Sequence, residues 1–151
     1  MDELDEAIVA VLQADARATN RDLATRVGVS PSTSLERVRS LRQRGIITGY
    51  RAEVDLAALG RPVEAMISAR LRPQSRAVMY GFRDFVLSLP ETISVFVVTG
   101  REDILIHVAT RDTRDLQNFV LDRLTRRREI ADLVTSVIFD HARKPVIEPM
   151  R

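Results

Sequence analysis

Ser32, Thr33, Glu36 and Arg37 cluster at the start of a short segment that opens with Ser30-Pro31. These are side chains that read a nucleic acid. Hydroxyls bond to bases or phosphates, a carboxylate accepts from the cytosine amine, and a guanidinium pairs with guanine through two parallel hydrogen bonds. Ser40 and Gln43 extend the same outward row, while Arg39, Arg42, Arg44 and Arg51 suit phosphates, giving affinity and salt dependence rather than sequence preference. Such a row is useful only on a helix that fits a major groove with its N-terminal end toward the base edges. The competing reading is a solvated face inside an unrelated helical bundle.

The surrounding residues supply the required elements. Thr19 can cap a first helix, with Asp22 at the end of its first turn, and Leu23, Ala24 and Val27 share a face. Gly28 suits the left-handed residue that stops this helix, and Ser30 followed by Pro31 caps and starts the next. Leu35, Val38 and Leu41 are expected to form the inner stripe of that second helix. Ahead of the pair, Leu4, Ala7, Ile8, Val11 and Leu12 repeat with helical period, so an opening helix covers it. Its acidic first turn, Asp2, Glu3, Asp5 and Glu6, is a poor surface for phosphate and is expected to face away from DNA. After Gly45, residues 46–54 read as an extended connector.

Composition excludes several classes. The chain has 151 residues, 45% of them hydrophobic, which suits one large or two small globular domains. No apolar run approaches the length needed to span a bilayer, and the acidic start lacks a signal-peptide pattern, so the cytoplasm and its nucleoid are the expected location. With no cysteine and two isolated histidines, neither disulfides nor a metal or other cofactor is expected. A net charge of +2 does not by itself indicate nucleic acid, and the preference for arginine is compatible with genome composition.

Beyond Asp55 the period changes. Val63, Ala65, Ile67, Ala69 and Leu71 alternate with polar or flexible neighbours, as in a half-buried strand. Ser75 can cap a helix carrying Val78, Met79, Phe82, Phe85, Val86 and Leu89. Strands at 92–99 and 103–109 then form a hairpin through Gly100 and Arg101. A second helix starts near Asp112 with Leu116, Phe119, Val120 and Leu124 inward, and a last strand covers 133–141. The predicted architecture is α+β: an all-α helix-turn-helix domain over 1–60, then a ferredoxin-like βαββαβ domain over 61–151 with one antiparallel four-stranded sheet. Apolar residues at 95–98, 104–106 and 137–139 predict a sheet apolar on both faces, and a second copy of the chain to cover the bare one. A homodimer would present two recognition helices to palindromic DNA.

Leu23-Ala24-Thr25-Arg26-Val27-Gly28-Val29-Ser30-Pro31, Leu35-Glu36-Arg37-Val38-Arg39 and Gly45-Ile46-Ile47-Thr48-Gly49-Tyr50 resemble the feast/famine regulators of the Lrp/AsnC family, as does Val97-Val98-Thr99-Gly100. The resemblance runs over essentially the whole chain. It implies a prokaryotic transcription factor whose C-terminal domain senses an amino acid or related metabolite, and dimers that commonly assemble further, often into octamers. It also implies an effector site near a hairpin whose usual pattern is Gly-Asp-Tyr-Asp. Here the hairpin reads Gly100-Arg101-Glu102-Asp103, so the charge and shape of any pocket are altered. Asp103 and Arg101 could hold the ammonium and carboxylate of an amino acid, or Arg101 and Glu102 could simply solvate the tip. Arg128-Glu129-Ile130 departs in the same way from the family's Pro-Gly-Val turn.

Further roles are open for other residues. His107 could titrate at an interface or be simply packed, and Arg123, Arg126, Arg127 and Arg128 could touch wrapped DNA or complement a helix dipole. The residues do not assemble a nucleophilic triad or a phosphate loop, so an enzyme is not expected. An architectural DNA-binding protein without effector uses the same helices and remains the alternative.

Overall fold

The computed structural model describes residues 1–150, which divide into two compact units. One comprises Met1–Glu53 together with the chain from Ala142 onward, and the other is Val54–His141. The first boundary falls several residues before the expected one at 60. The last residues, expected to belong with the sheet, pack in the N-terminal unit instead.

The N-terminal unit contains α1 (Glu3–Ala14), α2 (Asn20–Val27) and α3 (Pro31–Gln43). Each starts on a side-chain cap whose oxygen accepts an amide otherwise left unpaired: Asp2 from Asp5, Thr19 from Asp22, Ser30 from Thr33. Gly28 ends α2 with φ of 74°, the left-handed conformation that an L side chain adopts at a cost. Ile8, Leu12, Leu23 and Leu41 form the core, with Leu4, Val11, Val27, Val38 and Ile47 around it. Two sequence expectations change here. Ala7 faces solvent, and the buried α1 position beside Ile8 is Asp5. Leu35 is 40% exposed, and Ser34 takes its place inside. The inner stripe of α3 is therefore Ser34, Val38 and Leu41, spaced by four and three residues.

The C-terminal tail packs in this unit and is hydrogen-bonded to it through Gln13. The Gln13 amide accepts the Ile147 N–H at 2.9 Å and donates to the Ile147 carbonyl at 3.1 Å, as a neighbouring strand would.

The second unit runs β1 (Val63–Leu71), α4 (Arg76–Leu87), β2 (Thr92–Val97), β3 (Ile104–Thr110), α5 (Thr113–Asn118) continued by a π-helical turn over Phe119–Leu124, and β4 (Ile130–Val137). The strands form one antiparallel sheet in the order β2-β3-β1-β4, the predicted split βαββαβ arrangement. β4 begins and ends earlier than its sequence suggested, because its pairing with β1 runs from Leu71↔Ile130 to Ala65↔Val137.

Directly paired residues share a face of the sheet. Ala65↔Val108, Ile67↔Ile106 and Ala69↔Ile104 lie on the covered side, under Phe82 and Val86 of α4 and Leu116, Phe119 and Leu124 of the second helical segment. The opposite face is mixed rather than apolar throughout. It carries Met66, Leu105, Phe96 and Val134, the last two 50% and 47% exposed, but also Ser68, Ser94, Ser136 and the Glu64–His107 pair at 2.7 Å. The predicted doubly apolar sheet is thus corrected: Val95 and Ile104 point into the core, so continuous apolar runs overstated the open face.

Candidate nucleic-acid interface and effector cleft

α3 turns by about 100° per residue, so Ser32, Glu36, Arg39 and Gln43 stack in one solvent-facing row. Leu35 and Arg42 edge it on one side, and the half-buried Thr33 and Ser40 on the other. Among the described residues, Arg39 and Arg42 have no ion-pair partner. At the head of the row the Ser30 hydroxyl lies 2.9 Å from Ser32 Oγ and 2.8 Å from Thr33 Oγ1. The Asn20 amide donates to the Pro31 carbonyl at 2.7 Å and fixes the start of α3 against α2. The result is a pre-ordered hydroxyl cluster at a positive helix end, which suits a phosphate or a base edge.

Arg37 and Arg44 differ from their expected placement. Both lie closer to the inner side of α3 and turn toward α1. Arg37 Nη1 donates to Asp2 at 2.6 Å and to Asp5 at 3.2 Å, and Arg44 Nη1 donates to Asp5 at 3.0 Å. Asp5 is only 2% exposed, so this network ties α1 to the recognition helix. The acidic first turn, expected to face away from phosphate, holds the guanidiniums of Arg37 and Arg44, which the sequence offered to DNA. Leu35, whose apolar character predicts an inward position, lies instead at the exposed edge of the row. Its exposed methyls are suited to a thymine methyl group.

The network has a pH signature. The Asp5 N–H and the Arg37 guanidinium hold the Asp2 carboxyl below its ordinary value of 3.8. A carboxyl lowered by folding contributes stability above its unfolded pKa and loses it as pH falls through the folded value. Thermal melts of the N-terminal unit should therefore shift downward as pH drops below about 4. Asp2→Asn should flatten that dependence, and an unchanged pH profile would exclude the pairing.

The hairpin residues are brought together unequally. Gly100 takes φ of 135°, and the Asp103 N–H donates to the Ala69 carbonyl at 3.0 Å. The Asp103 carboxylate is already engaged, accepting the Leu71 N–H at 2.8 Å and the Gln74 amide at 3.0 Å. It organises the hairpin. Arg101 is 83% exposed and lies 3.6 Å from Glu102. Glu102 keeps one oxygen, Oε2, shut from water without a partner, and so is the acid with unused capacity. A cleft of about 440 Å³ opens beside Gly100, lined by Ser75 and Arg76 at the head of α4 and by Tyr80, Val98 and Thr99.

Comparison with known proteins agrees with both halves. Residues 1–42 match the AsnC-type helix-turn-helix domain, and residues 64–145 match the Lrp/AsnC ligand binding domain. The HTH-type transcriptional regulator AldR of Mycolicibacterium smegmatis is 38% identical over 143 residues, covering 95% of this chain and 84% of AldR. The transcriptional regulator NMB0573 of Neisseria meningitidis, solved as a complex with L-Met, superposes with a TM-score of 0.88 at 30% identity, over 95% of this chain and 93% of that one. AsnC of E. coli superposes with a TM-score of 0.85 at 31% identity, over 99% of each chain.

Proposed function

Since this chain belongs to the Lrp/AsnC family of transcriptional regulators, we propose that it reads its operator with the Ser32, Glu36, Arg39 and Gln43 row and takes an amino acid as effector at the hairpin cleft. It is a DNA-binding regulator responsive to a small molecule, and not an enzyme. The single observation that carries the residue-level reading is the unpaired, solvent-facing row on α3 headed by the Ser30, Ser32 and Thr33 hydroxyls. Ser32 and Thr33 meet the backbone or a base, Glu36 and Arg39 read base edges, and Arg42 and Ser40 track phosphates. Arg37 and Arg44 set the angle of the helix through Asp5.

At the hairpin cleft, the head of α4 and Arg76 favour the carboxylate of an amino acid, while Asp103, the acid that lines the cleft, favours its ammonium; Arg101 and Glu102 lie outside the lining. The complex of the Neisseria relative with L-Met supports this class of ligand. Two copies pair through the open sheet face, where Phe96, Leu105 and Val134 need cover, and such pairs can assemble further. Effector acts by binding one assembly better than another, which alters the spacing between recognition helices.

The test is DNA binding at fixed salt, on an operator selected from genomic fragments and on its scrambled counterpart, with and without amino acids. Tighter binding to the operator that changes with one amino acid is the expected result. Equal affinity for both duplexes would replace the operator reading with an architectural one.

A further inference from the structure

The C-terminal tail brings two cations into the helical unit. Arg143 and Lys144 are exposed and line a cleft of about 540 Å³ together with Arg51 of the extended connector that follows α3. Val9, Leu12 and Gln13 of α1 form another wall, and Glu53 lines the cleft as well. Among the described residues, no carboxylate lies within ion-pairing distance of Arg51, Arg143 or Lys144.

A second cleft, of about 420 Å³, is lined by Arg39, Arg42 and Gln43 of α3 and shares Ile47 and Thr48 with the first. The unpaired cations therefore run from the recognition helix, across the start of the connector, to the tail, all within one compact unit. Among the described residues, the backbone N–H groups of residues 48–53 make no hydrogen bond. Free cations and donors strung along an extended segment suit a polyanion, whose charges recur along a line. A small anion instead needs donors converging on one point. A second copy of the chain is a poor occupant, because two-fold pairing sets a patch against itself and would bring these cations face to face.

We propose that Arg143 and Lys144 of the tail, with Arg51, form a phosphate-binding edge beside α3, so that the C-terminal end of the chain helps to hold the DNA that the recognition helix reads. The edge rests on the reading of α3 as the helix in the groove. Phosphate contacts position a protein without carrying sequence, so the tail adds affinity and salt dependence rather than preference. Gln13 holds Ile147 by two hydrogen bonds just beyond Lys144, which keeps both cations with the helical unit instead of on a free end.

The experiment measures binding of the full chain to a selected operator and to its scrambled counterpart across a series of salt concentrations, with mass followed by light scattering. Arg143→Ala combined with Lys144→Ala should flatten the salt dependence on both duplexes. For each bound chain, two lost contacts lower the slope by about 2, so between roughly 50 and 200 mM salt the parent loses about tenfold more affinity than the variant. The ratio of operator to scrambled binding should stay as it was. Arg143→Lys combined with Lys144→Arg should keep the parental slope. Arg114→Glu changes the net charge by the same amount at an exposed position of the sheet unit and should also keep it. A parental slope in the alanine variant would overturn the proposal, as would an equal drop in Arg114→Glu, which would make the effect one of overall charge. A drop that comes only with dissociation by light scattering would overturn it too, with a neighbouring copy as the partner of the tail. Failure of the α3 reading shows separately, as an Arg39→Ala protein that keeps its operator preference.

Discussion

Arg39→Ala is expected to weaken operator binding by about 1 to 3 kcal/mol, roughly 5- to 150-fold, with a much smaller loss on scrambled DNA. Arg39 stands in the middle of the solvent-facing row and has no carboxylate to hold it back, so its guanidinium is free to reach a base edge. Arg37→Ala is the matched control. Because Arg37 is bound to Asp2 and Asp5, its loss should lower the melting temperature of the N-terminal unit and leave the ratio of operator to scrambled binding nearly intact. The measurement is a pair of titrations at one salt concentration, repeated at a second to separate phosphate from base contacts. If Arg37→Ala destroys the preference and Arg39→Ala spares it, the two residues have been given each other's roles.

A larger loss of stability is expected from Leu41→Ala. Leu41 is fully buried among Ile8, Leu12 and Leu23, and truncating such a side chain costs about 2 to 5 kcal/mol through lost burial and the cavity left behind. A unit of this size is typically stable by only roughly 3 to 8 kcal/mol. Most of its stability would therefore go. The sheet unit has its own core, centred on Ile67, Phe82, Ile106 and Leu124, and should be spared. Hydrogen exchange followed by mass spectrometry reads this directly. Peptides from α1 and α3 should lose protection in Leu41→Ala while β1 and β3 peptides keep it, and simultaneous loss in both would show that the two cores melt as one.

The sequence made the helix ends, strands and sheet order legible because each rests on a local rule. Thr19 and Ser30 cap the helices that they precede, Gly28 occupies the one conformation that favours glycine, and strict alternation at 63–71 has only one reading. The site was harder. Arginine is long enough to belong to either side of a helix, so polarity alone could not say that Arg37 turns toward α1 while Arg39 turns to solvent. Serine is small enough to be buried, and Ser34 displaced Leu35 from the inner stripe by a shift of one residue. Long-range partners are invisible to any local rule, and Asp5 with Arg44, like Asp103 with Gln74, is joined only by the fold. The hairpin and its acids were found by position, but which acid keeps a free oxygen depended on the backbone of Leu71.

The clasp between Gln13 and Ile147 gives the chain a topology with two tethers. The sensing sheet is spliced into the polypeptide of the reading head, entering after Glu53 and leaving before Ala142. Removing the Gln13 side chain in Gln13→Ala should therefore free the strap at its far end, read as faster amide exchange at residue 147, while the sheet, with a core of its own, stays as it was.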